Sequence, residues 1–149
     1  METNTGTEVV PSKSFTRFFP HIARVLLGLL FLLFGLNGFL NFIHAPKDLP
    51  QDMVTVATGL MKGGYMNVVS AVEILVAVLL LVNRFVPLAL TLLAPILVGI
   101  LTFHIAVQPE GIVPGVFVTL LELYLAWTYR KAFCPMLAAK VTPGGNCSP

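Results

Sequence analysis

The sequence predicts an all-α membrane protein: four transmembrane helices in an up-down bundle, with a short interfacial helix after the first span. Three observations predict this fold, namely the composition, four apolar stretches, and the short connections between the last three. Of the 149 residues, 56% are hydrophobic and only 11% are charged. A soluble domain is about 45–50% apolar and about 25% charged. So few charges cannot cover the surface of a water-soluble monomer, and the lipid bilayer is the expected partner.

The composition also argues against two other classes of protein. Nine Lys and Arg against seven Asp and Glu give a net charge of +2, and no basic run appears. A nucleic-acid partner is therefore not expected. The high apolar content excludes intrinsic disorder.

The first predicted span covers about residues 21–43 and follows a polar N-terminal tail at 1–19. No charge occurs from Val25 to Leu36, and the stretch has about the 20 residues that a bilayer core requires. The apolar run is too long for the core of a cleaved signal peptide. With this span begins a predicted transmembrane domain at 20–133.

The long connection after the first span contains a predicted interfacial or re-entrant helix at about 50–62. Pro50 suits a first helical turn, and Gly63-Gly64 suits a helix end. About three turns are too few to cross a bilayer. Five apolar residues share one face of this helix: Met53, Val56, Ala57, Leu60 and Met61.

The other three spans are predicted at about 67–83, 86–107 and 112–130. Their short connections require antiparallel neighbours. Pro95 lies inside the third span, where a kink is expected rather than a break. The Pro- and Gly-rich segment at 134–149 is predicted to be a loose cytoplasmic tail.

The positive charges predict that both termini are cytoplasmic. In that orientation only Lys47 and Lys62 lie outside, and the other seven of the nine Lys and Arg lie inside, as the positive-inside rule demands. The seven are Lys13, Arg17, Arg24, Arg84, Arg130, Lys131 and Lys140. Arg24 lies near the start of its span and is expected to extend towards the headgroups.

Three polar residues from three different spans are predicted to lie at similar depths near the outer side. At 1.5 Å per residue, Glu73 lies about 9 Å into the second span and His104 about 5–6 Å into the third. Asn37, which shares a helix face with Asn41, lies near the outer end of the first span. Intramembrane polar groups are costly. We therefore expect a shared polar cluster, the alternative being hydrogen-bonding groups on separate helix interfaces.

Glu122 lies about 15 Å into the fourth span, near the midplane. Its helix face carries small or polar residues, namely Gly115, Thr119, Ala126 and Tyr129. Two interpretations follow: a buried carboxylic acid bonded to a neighbouring helix, or a member of a proton relay.

The sequence lacks the residue patterns that a dithiol or metal site requires. Cys134 and Cys147 do not form a CxxC pair, so a membrane dithiol site is not expected. No metal-ligand pattern occurs, and no metal is predicted. No pair of histidines has the spacing of ligands on one helix. A haem held between helices would need His or Met at equal depth; His44 and His104 are both near the outer side, which leaves this alternative open, but it is not favoured.

The chain resembles the DoxX family of small bacterial membrane proteins. The resemblance covers about Arg24 to Leu137, and its most specific elements are VEI, NRFVPLAL and FH, beginning at Val72, Asn83 and Phe103. It implies a four-helix bundle in the bacterial cytoplasmic membrane with cytoplasmic termini. The family name derives from a membrane subunit associated with thiosulfate:quinone oxidoreduction, and some relatives resemble partners in redox complexes.

These considerations lead to two hypotheses on function. In the first, the protein is a membrane subunit of a quinone-linked redox system, with no cofactor of its own and with electrons supplied by a redox partner protein. Glu73 and His104 would exchange protons with the quinone, and Asn37 and Glu122 would help to bind it. In the second, it is a non-enzymatic membrane adaptor or a small-solute permease. The sequence leaves open the oligomeric state and whether the protein is an enzyme.

Overall fold

The computed structural model describes residues 15–43, 50–107, 109–133 and 136. Helices make up 88% of these residues, and no strand occurs among them. The α-helices are α1 (Phe15–Leu40), α2 (Gln51–Lys62), α3 (Tyr65–Leu81), α4 (Val86–Ala106), α5 (Ile112–Thr128) and α6 (Arg130–Phe133), with a 3-10 turn at Pro109–Gly111. The all-α prediction is confirmed for this part of the chain.

Helix α1 begins and ends earlier than the predicted span at 21–43. It begins at Phe15, so the last five residues of the predicted tail at 1–19 are helical. It ends at Leu40 because Asn41 adopts a left-handed backbone conformation with φ 49°. The Asn37 side-chain oxygen then accepts a hydrogen bond from the Ile43 N–H at 2.6 Å, which stabilises the chain beyond the helix end.

Helix α2 lies where the short helix at 50–62 is predicted, and it meets α3 at an angle of 77°. The bend occurs at Gly63-Gly64, where Gly64 has φ 71°, a conformation that glycine adopts without strain. No residue of α2 is fully buried. Its partly buried face consists of Met53, Ala57 and Leu60, whereas Val56 and Met61 are exposed. This face is therefore narrower than the predicted one.

The four long helices form a closed, antiparallel arrangement. Helix α1 packs on α3 and α5, and α4 packs on the same two helices. Gly28 lies opposite Leu81 and Gly38 lies opposite Ser70, so α1 and α3 run in opposite directions. The rings of Phe19 and Tyr124 meet edge-to-face at 5.2 Å, which places the start of α1 beside the last turns of α5. The up-down order of these four helices follows.

Glycines allow α1 and α3 to approach closely. A Cβ on Gly35 would lie 2.8 Å from Ile74 Cγ1 and 3.0 Å from the Ser70 carbonyl oxygen. A Cβ on Gly38 would overlap the Ser70 hydroxyl. Small residues at such positions let membrane helices approach and gain van der Waals contact.

Apolar residues occupy both the interior and the surface of this bundle. The fully buried side chains include Leu27, Phe31, Leu80, Leu93 and Leu125. Large apolar side chains also cover the outer faces; for example, Val98 is 64% exposed and Leu120 is 60% exposed. A surface of this kind is compatible with lipid contact.

Two helices of the described chain are long and apolar enough to cross a membrane, Phe18–Leu40 and Val86–Ala106. A third candidate arises if the bent pair of α2 and α3 is one broken span. Helix α5 is apolar but has only 17 residues. Helix α4 runs unbroken through Pro95.

Candidate functional site

A cavity of about 810 Å³ opens at the end of the bundle where α1 and α4 end and α3 and α5 begin. We call it the Glu73 cavity. Its polar lining residues are Asn37, Asn41, Asn67, Ser70, Glu73 and His104. Phe31, Phe34, Met66 and Ile100 contribute apolar walls, and Met61 contributes a side chain from α2.

Glu73 lies on α3 and is only 8% exposed. The α1–α3 contact holds it in place, because its Cβ lies 3.1 Å from the position that a Cβ on Gly35 would occupy. Within the described part of the chain, its carboxyl group makes no hydrogen bond or ion pair. A buried carboxyl group without a partner is costly, so its hydrogen-bonding capacity is available to whatever enters the cavity.

His104 lies in the last turn of α4 and is half-buried. Its Nδ1 is 2.8 Å from the carbonyl oxygen of Ile100. A carbonyl oxygen only accepts hydrogen bonds, so Nδ1 carries the proton and donates it. In the neutral imidazole, Nε2 is then the acceptor. The ring also meets Phe103 edge-to-face at 5.7 Å, which further fixes its orientation.

The structure brings Asn37, Glu73 and His104 together around one cavity, as the shared-cluster hypothesis requires. It does not connect them directly. Among the described residues no hydrogen bond joins any two of the three, since Asn37 bonds to Ile43 and His104 to Ile100. Glu73 therefore makes no direct hydrogen bond to His104 or Asn37 in the described part of the chain, and contact through a bridging water stays a prediction. The three side chains line the same cavity without bonding to one another.

Glu122 does not belong to this site. It is 7% exposed and lines a second cavity of about 380 Å³ between α4 and α5, which we call the Glu122 cavity. Thr91 and Thr119 line the same space, but their hydroxyls already donate to the carbonyl oxygens of Pro87 and Gly115. The expectation that Glu122 binds the same ligand as Asn37 is therefore not supported by the geometry.

Arg24 differs from the expectation that it extends to the headgroups. It is only 7% exposed, and its Nη1 donates to the carbonyl oxygen of Leu80 at 2.6 Å. Leu80 lies in the last turn of α3, where the carbonyl ends of the helix carry partial negative charge. Arg24 Nε is buried and has no hydrogen-bond partner. Arg24 is thus an interhelical contact between α1 and α3.

Sequence reasoning did not identify Ser70 and Asn67 as lining residues. The available signal was the spacing of Gly28, Gly35 and Gly38, which marks the face of α1 that approaches another helix. That signal does not say which helix approaches, so the residues opposite remained unassigned.

In the described residues, no three His, Cys, Asp or Glu side chains lie close enough together to hold a metal ion. His44, Cys134 and Cys147 lie outside the described residues. The expected absence of a haem site and of a dithiol site therefore stays a prediction.

Comparison with known proteins gives no relative: no family profile, no curated protein and no solved structure matches the chain. The resemblance to the DoxX family rests on the quoted residues alone. The class defined by fold and site is an all-helical protein with apolar helices and a cavity that contains a buried carboxyl group.

Proposed function

We propose that the protein is a DoxX-like, four-span protein of the bacterial cytoplasmic membrane with both termini in the cytoplasm. The antiparallel packing of α3 and α5 alongside α1 and α4 supports four spans. At 1.5 Å per residue, the 17-residue helices α3 and α5 are about 25 Å long, at the lower limit for spanning. The positive residues Arg84, Arg130 and Lys131 follow α3 and α5, at the end of the bundle opposite the Glu73 cavity. This placement supports cytoplasmic termini.

Within that membrane, we propose that the Glu73 cavity binds a quinone as part of a redox system. The observation that carries this proposal is that Asn37, Glu73 and His104 line one cavity of about 810 Å³. Small-molecule sites are typically about 300–1,000 Å³, mostly apolar, with a few polar groups that set orientation. The walls formed by Phe31 and Phe34 suit a flat ring.

The polar residues suit the carbonyl groups of such a ligand. A quinone takes up two electrons and two protons on reduction, and a redox partner protein would supply the electrons. A protonated Glu73 carboxyl donates a hydrogen bond to a carbonyl oxygen and can pass its proton there. His104 keeps Nδ1 on the Ile100 carbonyl and can take up or release a proton at Nε2. Asn37 contributes to orientation.

A small-solute permease is the second candidate, and the position of α2 favours it. Met61 of α2 lines the Glu73 cavity, and α2 joins α3 through the bend at Gly63-Gly64. A helix attached in this way can move relative to the cavity and change access to it. If the protein were a non-enzymatic membrane adaptor, the cavity would instead hold no ligand.

Quinone content tests the proposed function. The protein is purified in mild detergent from quinone-containing bacterial membranes, extracted with organic solvent, and assayed for quinone per chain by chromatography. We expect retained quinone in the wild type and at least a tenfold loss in Val118→Phe, which fills the cavity wall. The matched control is Val113→Phe on the same helix, because Val113 is 72% exposed and should leave the content unchanged. Wild-type content no higher than that of an unrelated membrane protein would contradict the proposal and leave the permease and the adaptor as candidates.

A further inference from the structure

The described lining of the Glu73 cavity contains an acidic side chain but no Lys or Arg. Among its described lining residues, Glu73 is the only carboxyl group, and no Lys or Arg is present. His104 is the only other titratable group in that lining. The nearest candidate counter-charge in the α1–α3 interface, Arg24, bonds to Leu80 at the opposite end of α3. Among the described lining residues, an ionised Glu73 would therefore have no Lys or Arg with which to pair.

This arrangement favours a positively charged ligand once Glu73 ionises. Moving a carboxylate out of water is strongly unfavourable unless an opposite charge compensates. Glu73 is 92% buried, since 8% of it is exposed. A monovalent cation that enters the cavity supplies the missing charge and displaces the proton that otherwise keeps the carboxyl neutral.

The walls of the cavity favour a bulky, weakly hydrated cation over a metal ion. Phe31 and Phe34 offer aromatic rings, whose faces attract cations. Met61 and Met66 offer flexible, polarisable thioethers that adapt to irregular apolar shapes. A hydrated metal ion would gain little from these groups, whereas an organic cation buries its apolar surface against them.

We propose that the Glu73 cavity binds lipophilic organic monocations, with the Glu73 carboxylate as their counter-ion. This binding does not depend on the proposed quinone function, although the two ligands would compete for the same space. No covalent or redox step is involved, because one proton leaves Glu73 as one cation binds. An anion of the same shape is expected to be rejected, since it meets a carboxyl group and, among the described lining residues, no Lys or Arg.

Tetraphenylphosphonium is the probe, measured by equilibrium dialysis against the purified full-length protein in detergent. We expect saturable binding of one cation per chain, with at least a tenfold weaker Kd in Glu73→Gln. Glu122→Gln is the matched control, because Glu122 is equally buried but lines the other cavity; it should bind as the wild type does. Glu73→Asp, which keeps the charge, should bind more tightly than Glu73→Gln and so separates loss of charge from loss of folding.

Three results would overturn the proposal: wild-type affinity in Glu73→Gln, equal losses in Glu73→Gln and Glu122→Gln, or saturable binding of tetraphenylborate as tight as that of the cation. The quinone assay separates the two proposals. Cation binding by a protein that retains no quinone would refute only the quinone function. Retained quinone without cation binding would refute only this inference. Release of bound quinone by the cation would support both.

Discussion

Glu73 and Glu122 are equally buried carboxyl residues in one bundle, yet they lie in different surroundings. Glu73 is 8% exposed and Glu122 is 7% exposed. Glu73 faces a cavity of about 810 Å³ that four other helices help to line, whereas Glu122 faces about 380 Å³ between α4 and α5. Burial alone therefore does not distinguish a binding residue from a structural one. The volume of the adjoining cavity and the polar groups around the carboxyl group make that distinction.

The difference arises from what the neighbouring polar groups already bind. Beside Glu122, the hydroxyls of Thr91 and Thr119 donate to carbonyl oxygens of their own helices. Beside Glu73, the His104 ring uses Nδ1 for its own helix and keeps Nε2 as an acceptor. A ligand in the Glu73 cavity therefore meets a carboxyl group and an imidazole nitrogen together.

The largest expected effect is on the membrane topology, which decides whether Glu73 or Glu122 lies nearer the outer side of the membrane. A reporter active only outside the cytoplasm should be fully active when fused after Tyr65 or Glu110. It should be silent after Arg84 or Lys140, because positive residues are retained in the cytoplasm. Activity at Lys140 would reverse the assignment and place Glu73 nearer the cytoplasm than Glu122.

The next effect tests the close helix contact that positions Glu73. Gly35→Ala should lower the free energy of unfolding by about 1–3 kcal/mol, the usual cost of overpacking. The added Cβ would lie 2.8 Å from Ile74 Cγ1 and 3.0 Å from a backbone oxygen. Gly99→Ala is the matched control in α4, where no atom beyond the neighbouring residues and the backbone of its own helix lies within 4 Å of the added Cβ. It should be neutral or stabilising by about 0.5–1 kcal/mol.

Denaturation of both variants in detergent by graded sodium dodecyl sulfate, followed by circular dichroism, measures this difference. Equal stabilities for Gly35→Ala and Gly99→Ala would show that α1 and α3 are not in close contact beside Glu73.

The helices and the shared position of the three polar residues could be predicted from the sequence. Hydrophobic periodicity indicates a helix, and the number of residues from the helix end gives the depth of each side chain. Asn37, Glu73 and His104 could be placed at one level by counting 1.5 Å per residue. Rotation about each helix axis could not be obtained this way, so the sequence did not show that Glu122 and Asn37 line different cavities. The partner of Arg24 was missed for a related reason: a backbone carbonyl at a helix end leaves no signal in residue identity.

Arg24 is a third buried ionisable residue, and unlike Glu73 it has a hydrogen-bond partner, the Leu80 carbonyl oxygen. Arg24→Met should destabilise the protein by about 1–2 kcal/mol, because it removes a hydrogen bond from a charged donor. The loss stays moderate because the Leu80 oxygen also accepts from the Asn83 N–H at 3.2 Å, and because an unpartnered Nε is removed as well.

The measurement is the same denaturation, accompanied by tetraphenylphosphonium binding. Cation affinity in the folded Arg24→Met protein should equal that of the wild type, since Arg24 does not line the Glu73 cavity. A tenfold change in affinity with unchanged stability would assign Arg24 to the binding site instead.

The smallest effect concerns the helix at the opening of the Glu73 cavity. Spin labels introduced at Met53 and Leu60 of α2 should be less accessible to a water-soluble relaxation agent than a label at Thr55. Met53 and Leu60 are partly buried, whereas Thr55 is exposed and its hydroxyl donates to the Gln51 carbonyl oxygen. Equal accessibility at the three positions would mean that α2 does not rest on the bundle.

Carbodiimide labelling of the two carboxyl groups tests the central claim most directly. Dicyclohexylcarbodiimide, an apolar reagent that reacts with protonated carboxyl groups, is applied to the detergent-solubilised protein, and the modified residues are located by mass spectrometry. We predict that added quinone or tetraphenylphosphonium slows modification of Glu73 at least tenfold and leaves modification of Glu122 unchanged. Equal protection of both residues, or protection of Glu122 alone, would contradict the assignment of the Glu73 cavity as the binding site.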